Sequence, residues 1–217
     1  MGLTTGVPTI VLVAAGSTRS QLGRLGPFLE KVVVAVALEV RAVVVDEGHA
    51  GGIGAALGEA CSRKKARFPV IGVAPDRRGD ADGAISGDGL DPNHSHFVVV
   101  PAHRPGWAAV WTSSVATALA GGNRSVAVVT SGGDGAWDSV AEHSKAGRLV
   151  MAVARTGGVA DHLVAALKGN ASDPRAVPLA ASGQVFAVDP ATGASHVADR
   201  LRTALSRPDA LEPGGRS

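Results

Sequence analysis

The chain has 217 residues, a formal net charge of +2, and 45% hydrophobic against 18% charged residues, the balance of a packed globular protein rather than of a disordered one. Acids and bases are interspersed without a basic stripe, which argues against nucleic acid as a partner. Aromatic residues make up only 3% and tyrosine is absent, so the core is expected to be built from small and aliphatic side chains.

Short valine-rich runs alternate with helical patterns along the chain. Strands are predicted at Thr9 to Ala14, Arg41 to Val45, Pro69 to Ala74, His96 to Val100, Ser125 to Thr130, Leu149 to Ala154 and Gln184 to Val188. Helices are predicted at Gly26 to Leu38, Gly52 to Lys64, Trp107 to Ala120, Asp134 to Lys145, Val159 to Lys168 and Pro190 to Leu205. This alternation is the signature of an α/β protein: a Rossmann-like three-layer sandwich with a mostly parallel sheet of about seven strands and helices on both faces. Residues 1–206 read as one domain and 207–217, rich in proline and glycine, as a flexible tail. Pro75 to Asn93 has neither period and reads as a long surface loop.

The single cysteine, Cys61, falls in an apolar helical stretch, which excludes an intrachain disulfide and a thiolate zinc cluster. Pro8 to Ala15 is apolar but lacks a basic leader, and no run reaches the roughly 18 apolar residues a membrane helix needs. The expectation is a cytoplasmic protein with no membrane partner. A homodimer is allowed, because the apolar helix Phe28 to Leu38 could pair subunits as readily as it could be buried on two sides in a monomer.

Two segments run from a strand through glycines straight into a helix. The first contains Gly48, His49, Ala50, Gly51 and Gly52, and the second Ser131, Gly132, Gly133, Asp134, Gly135 and Ala136. Glycines let the backbone turn sharply and approach a ligand, and the unpaired N–H groups of a helix's first turn suit phosphate. In an open parallel sheet both loops belong to the carboxyl edge, where ligands bind and where the two could face each other across a crevice. Close helix–strand packing alone would also call for such glycines. Neither loop ends in the Gly-Lys-Ser/Thr of a P-loop.

The spacing of Gly48, Gly52 and Gly54, with Asp76 after the next strand, also imitates a dinucleotide site of short-chain dehydrogenase type. That reading requires a catalytic tyrosine, which the sequence does not contain. Asp91, His94 and His96 could supply part of a zinc or iron site, but no further ligand set is visible. A turn in which Asp91 and Asn93 bond the local backbone is the plainer reading, and no metal site is assigned.

The run Leu90-Asp91-Pro92-Asn93-His94-Ser95-His96-Phe97 resembles the Leu-Asp-x-Asn-His-Ser/Thr-His-Phe signature of the cytosolic N-terminal domain of melastatin-type TRP channels. Gly48 to Ile53, Val70 to Ala74, Gly132 to Gly135 and Gly157-Gly158-Val159-Ala160-Asp161 resemble further stretches of that domain, in the same order. The likeness spans roughly Val43 to Leu167, and the N-terminal stretch matches only in pattern. It points to the SLOG superfamily, in its LSDAT type, which also includes the Lonely Guy phosphoribohydrolases. A free-standing chain of this kind would be a prokaryotic-type member.

The resemblance implies a sensor that binds ADP-ribose or a related nucleotide at the two glycine loops, with Trp107, Arg155 and Gly157 beside it. No cofactor is expected beyond that nucleotide, with magnesium allowed as its companion beside Asp134. The departures are at charged positions: where the channel domains have two arginines, this chain has Ser114 or a neighbour, and Gly158. Arg155 could compensate. The alternative is a phosphoribohydrolase cleaving an N-glycosidic bond. Lonely Guy enzymes carry a threonine and a glutamate where this chain has Ala136 and Ser139, which leaves Asp138 as the candidate catalytic residue and makes a binding protein the preferred reading. Trp137 could stack on a base or belong to the core.

Overall fold

The computed structural model describes residues 4–76, 89–101, 106–121 and 125–206. Seven strands, β1 (Thr9–Val13), β2 (Val43–Asp46), β3 (Val70–Asp76), β4 (His96–Pro101), β5 (Ser125–Thr130), β6 (Leu149–Val153) and β7 (Val185–Val188), form one sheet in the order β4-β3-β2-β1-β5-β6-β7. Every pairing is parallel. The expected tail and most of the long loop lie outside the described residues.

The strands are valine-rich because both faces of the sheet are covered. Ile10 and Leu12 of β1 face one layer, made by α1 (Arg19–Arg24), α2 (Gly26–Phe28), α3 (Ala35–Val40), α4 (Ile53–Lys64) and α9 (Ala194–Ser206). Val11 and Val13 face the other, made by α5 (Trp107–Ala120), α6 (Asp134–Lys145), α7 (Gly158–Leu167) and α8 (Ala176–Ala181). An alternating set of apolar side chains thus feeds each layer, as a parallel sheet buried on both sides requires.

The helix predicted over Gly26 to Leu38 is a composite, in which a π-helical segment, Leu29–Val34, joins α2 to α3. Its Val32, Val33 and Val34 are all buried. Two further helices, α1 and α8, are too short to show a period in the sequence. The predicted Pro190 to Leu205 helix divides at Gly193 into a 3-10 turn, Pro190–Thr192, and α9.

The chain order makes β1 the centre of the molecule. From β1 the strands β2, β3 and β4 follow outward on one side, and the chain then crosses by α5 to β5 on the other. The winding therefore reverses between β1 and β5. On the β2 side, Gly48 (φ +68°) follows β2 and lies directly on Gly72 in β3, where a Cβ on Gly72 would stand 2.6 Å from the Gly48 Cα. This contact holds the first glycine loop against the sheet.

Behind the sheet, His143 of α6 is fully buried and accepts a hydrogen bond through Nδ1 from Arg148, at 2.7 Å. Burial, assisted by the neighbouring guanidinium, pushes the His143 imidazole down to about 3. Arg148 also donates to Ser113 and Thr117 and so ties α5 to the α6–β6 turn.

Two outcomes follow from these contacts. Gly72→Ala forces a methyl group against the Gly48 backbone and is expected to cost about 2 kcal/mol or more in urea unfolding. His143 must remain neutral in the folded state yet takes a proton near 6.5 when unfolded, so its contribution falls as pH drops from 6.5 towards 3. Between pH 7 and pH 5 that loss is about 2 kcal/mol, and it is expected to vanish from the stability profile of His143→Gln.

Candidate functional site

Three βα loops meet at the carboxyl edge: Ala14 to Thr18 after β1, Glu47 to Gly52 after β2, and Ser131 to Gly133 after β5. The two glycine loops do not face one another directly, because the β1 loop stands between them. That loop is joined to the β5 loop by hydrogen bonds. The Gly133 N–H donates to the Ala15 carbonyl at 2.8 Å, and the Gly132 N–H donates to Ser17 Oγ at 3.0 Å. Ser17 Oγ and Ser131 Oγ lie 2.6 Å apart, and Ser131, with φ +53°, donates onward to the Thr130 carbonyl. Gly16 and Gly133 are in backbone contact, with 3.2 Å between a Cβ on Gly16 and the Gly133 Cα. The β1 and β5 loops are therefore tied together by the protein's own groups, and the N–H groups of Gly132 and Gly133 are paired, while the first turn of α6, after its N-cap Gly133, carries no capping side chain.

A cleft opens on the other side of the β1 loop. It is a shallow cleft of about 430 Å³, counting the open solvent at its mouth, between Ala14 to Ser17 and the segment from Asp46 to Gly54. Its floor is the end of β1, with Leu12, and Leu22 of α1 closes one side. The N-terminus of α4 enters the wall through Gly52, Ile53 and Gly54. Gly52 is the N-cap, in extended conformation and without a capping side chain, so the first-turn N–H groups of a 12-residue helix are left for a guest. Among the described residues no lysine or arginine belongs to the lining.

Of the residues assigned from sequence, Gly48, His49, Gly51 and Gly52 line this cleft. The Ala50 N–H is taken by the Gly89 carbonyl at 2.7 Å, which lays the chain before Asp91 along the β2 loop. His49 is half exposed with Glu47 at 3.2 Å. The Glu47 carboxylate beside it holds the imidazole above its ordinary value, against the effect of burial.

The other assigned residues lie elsewhere on the same edge. Asp134 is exposed and paired with Arg175 at 3.0 Å, while the Arg175 guanidinium also lies 4.7 Å above the Trp137 ring. Trp137 is thereby buried, at 6% exposure, as a core residue. Gly135 is exposed and Ala136 buried, and Trp107 is partly buried against the second core layer. Arg155, in the left-handed region at φ +64°, extends to Asp189 at 3.0 Å, away from the cleft. Gly157 packs on Gln21 of α1, and its N–H donates to Asp161 at 2.9 Å. Asp138 is exposed on α6 near Gly106, outside the cleft lining. Gly158 is at φ +56° with the Gly132 carbonyl where its Cβ would be, so this backbone leaves no place for an arginine side chain there.

Sequence reasoning missed the β1 loop and Asp46. The signal for the first was present: Thr18 and Gln21 form a capping box, with the Thr18 N–H on Gln21 Oε1 at 2.8 Å and the Gln21 N–H on Thr18 Oγ1 at 3.2 Å. Asp46 is 2% exposed at the end of β2. Its Oδ1 accepts from the Gly48 N–H at 2.7 Å and pairs with His94 Nε2 at 2.7 Å. His94 is enclosed between Asp46 and Asp91, whose Oδ2 stands 3.8 Å from Nδ1. The Asp91–Asn93 turn expected from sequence is present, with the Asn93 N–H donating to Asp91 Oδ1 at 2.9 Å. His96 Nδ1 instead meets Ser95 Oγ at 2.9 Å. Among the described residues no group of three or more His, Cys, Asp or Glu side chains is arranged to hold a metal ion.

The structure is thus a doubly wound, Rossmann-like α/β protein with an open cleft beside its central strand. The chain belongs to the family described as SLOG in TRPM, prokaryote, which matches residues 7–199. Among solved structures it is similar to a structural-genomics target titled TM1055, with a TM-score of 0.57 and 18% identity over 84% of this chain and 92% of that one. It is also similar to the molybdenum cofactor carrier protein of Chlamydomonas reinhardtii, with a TM-score of 0.54 and 16% identity over 90% of this chain and 99% of that one. No curated protein matches the sequence. Among the described residues no helix is long and apolar enough to cross a membrane.

Burial opposes the charging of His94, but the hydrogen bond and charge of Asp46, helped by Asp91, outweigh it and hold the imidazole above its ordinary value. A raised folded-state value means that the stabilisation by His94 is fully present below about pH 6.5 and is lost as pH rises through that raised value. The stability difference between wild type and His94→Gln, measured by urea unfolding, is therefore expected to be larger at pH 6 than at pH 9, opposite in sign to the trend from His143.

Proposed function

We propose that this chain binds a nucleotide-derived small molecule, ADP-ribose or a relative of it, in the cleft between the β1 and β2 loops, and that it acts as a ligand sensor. The observation that carries this reading is the uncapped N-terminus of α4 in the cleft wall, where free N–H groups and the helix dipole favour a phosphate. His49, held towards its charged form by Glu47, adds a cation at the rim. With no guanidinium among the described lining residues, phosphate recognition rests on backbone amides and this imidazole. Membership in a SLOG family supports a nucleotide ligand. A binding role also has a precedent on this fold in the protein named as a molybdenum cofactor carrier.

The hydrolase alternative is less favoured, because its candidate, Asp138, projects from α6 outside the cleft. The two readings separate in one experiment. Purified protein is screened by thermal shift with ADP-ribose, cyclic ADP-ribose, NAD, AMP and ribose 5-phosphate, and each sample is then chromatographed for free base. A ligand at 100 times its Kd adds about 2.7 kcal/mol of stability, and the sensor reading expects it to be recovered intact.

Gly52→Asp supplies the critical variant. A carboxylate at the N-cap caps the α4 amides and occupies the place of the phosphate, although its Cβ stands 2.9 Å from the exposed His49 ring, which must swing aside. The expected result is a folded protein with a melting temperature within a few degrees of wild type and a loss of nucleotide affinity at least tenfold greater than that of His49→Ala, on the order of 1.4 kcal/mol or more. Undiminished binding by this variant rules out the α4 terminus as the phosphate site.

A further inference from the structure

The outer faces of α4, α6 and α9 carry the charges expected of helices turned to water: Glu59 and Arg63 on the first, Asp134, Asp138 and Lys145 on the second, Asp199 and Arg200 on the third. α5 differs. None of its 14 residues, Trp107 to Ala120, is charged. Val110, Trp111, Ser114 and Ala118 are exposed, and at about 100° per residue they form one stripe on the side away from the sheet. Val110 is 47% exposed and Trp111 36%. The Trp111 indole N–H donates to the Pro101 carbonyl at 3.2 Å, so its polar atom is satisfied within the chain and the ring offers water an apolar surface. Among the described residues no other element covers this stripe. The apolar helix expected from sequence to pair subunits is instead spent inside the chain, with Leu29, Val32, Val33, Val34 and Val36 all buried.

From this arrangement we infer that the outer face of α5 docks a second copy of this chain, with the two helices antiparallel about a two-fold axis beside Ser114. Two properties of the face select a copy of itself. The first is shape: the large Val110 and Trp111 precede Ser114 and the small Ala118 follows it, so an antiparallel partner lays large on small and makes each contact twice. The second is charge. α5 has no acidic residue in its first turn and no basic one in its last, whereas α6 has both. Its dipole is uncompensated by side chains, and an antiparallel copy brings each positive end to a negative one with no like side-chain charges opposed. A helix of this length spans about 21 Å, so the contact falls below the roughly 800 Å² per partner of a standard interface. The dimer is therefore in exchange with the monomer, with a dissociation constant on the order of 10–100 µM.

The test is sedimentation equilibrium of the full chain from about 1 µM to about 1 mM. Wild type is expected to pass from 21.7 kDa towards twice that mass as concentration rises. Val110→Glu sets a carboxylate against Ala118 of the second copy and is expected to weaken the dimer at least tenfold. Its circular dichroism is expected to match wild type, because the side chain at this position faces water in the monomer. Adding Ala118→Lys places an ammonium opposite that carboxylate and is expected to restore the dimer. The two positions are eight apart on one helix and cannot pair within a chain, so restoration reports the antiparallel contact. A wild type that stays at 21.7 kDa at every concentration overturns the inference. So does a dimer that Val110→Glu leaves intact, since that dimer uses another face.

Discussion

The hydrogen bond from the Gly133 N–H to the Ala15 carbonyl joins the halves of the sheet at the point where its winding reverses. Strands β1 and β5 are neighbours, but their following segments leave to opposite faces, so the gap between them must be either filled by a ligand or closed by the chain. Here it is closed. Ser17 and the Gly16–Gly133 contact complete the closure, and each requires a small residue at its position. The open cleft consequently lies one strand away, on the side of β1 that faces β2.

That displacement governs the chemistry on offer. A site between β1 and β5 would present α6, which also starts at an uncapped glycine, but the N–H groups of Gly132 and Gly133 before it are paired across the loops and Asp134 places a carboxylate in its first turn. The open cleft beside β2 presents α4, whose N-cap glycine likewise has no capping side chain and whose first turn carries no acidic residue. The same strand end supplies Asp46, held by a backbone N–H and an imidazole. Buried behind the loop, this carboxylate fixes the wall from within, and the electropositive helix end is the part of the wall that suits an anionic ligand.

The sheet was legible in the sequence because its physical cause is local. Strands buried on both faces read as short valine runs, and all seven lie within two residues of their expected bounds. Long helices with a clear start, such as α5 and α6, were equally legible. The failures share a cause as well. α1 is six residues long and shows no period, so its loop went unnoticed despite the capping box that announces it. Asp46 stood inside a valine strand and His94 in a polar turn, 48 residues apart, and only the packing of β4 beyond β3 brings them together. A pairing of that kind leaves no trace in composition or spacing.

The replaced arginines of the channel-like pattern take on a different meaning in the folded chain. Gly158 adopts a left-handed conformation with the Gly132 carbonyl against it, so an arginine there would require the β6 loop to be rebuilt, not merely extended. Arg155, the nearby candidate to replace it, is drawn outward by Asp189, and Arg175 is spent on Asp134, Asp173 and the face of Trp137. Arg155 and Arg175 thus both have structural partners. Among the described residues, the ties across the β1–β5 gap and the pairing of Arg155 and Arg175 with carboxylates go together: both commit polar groups of the β5–β6 side to the protein itself.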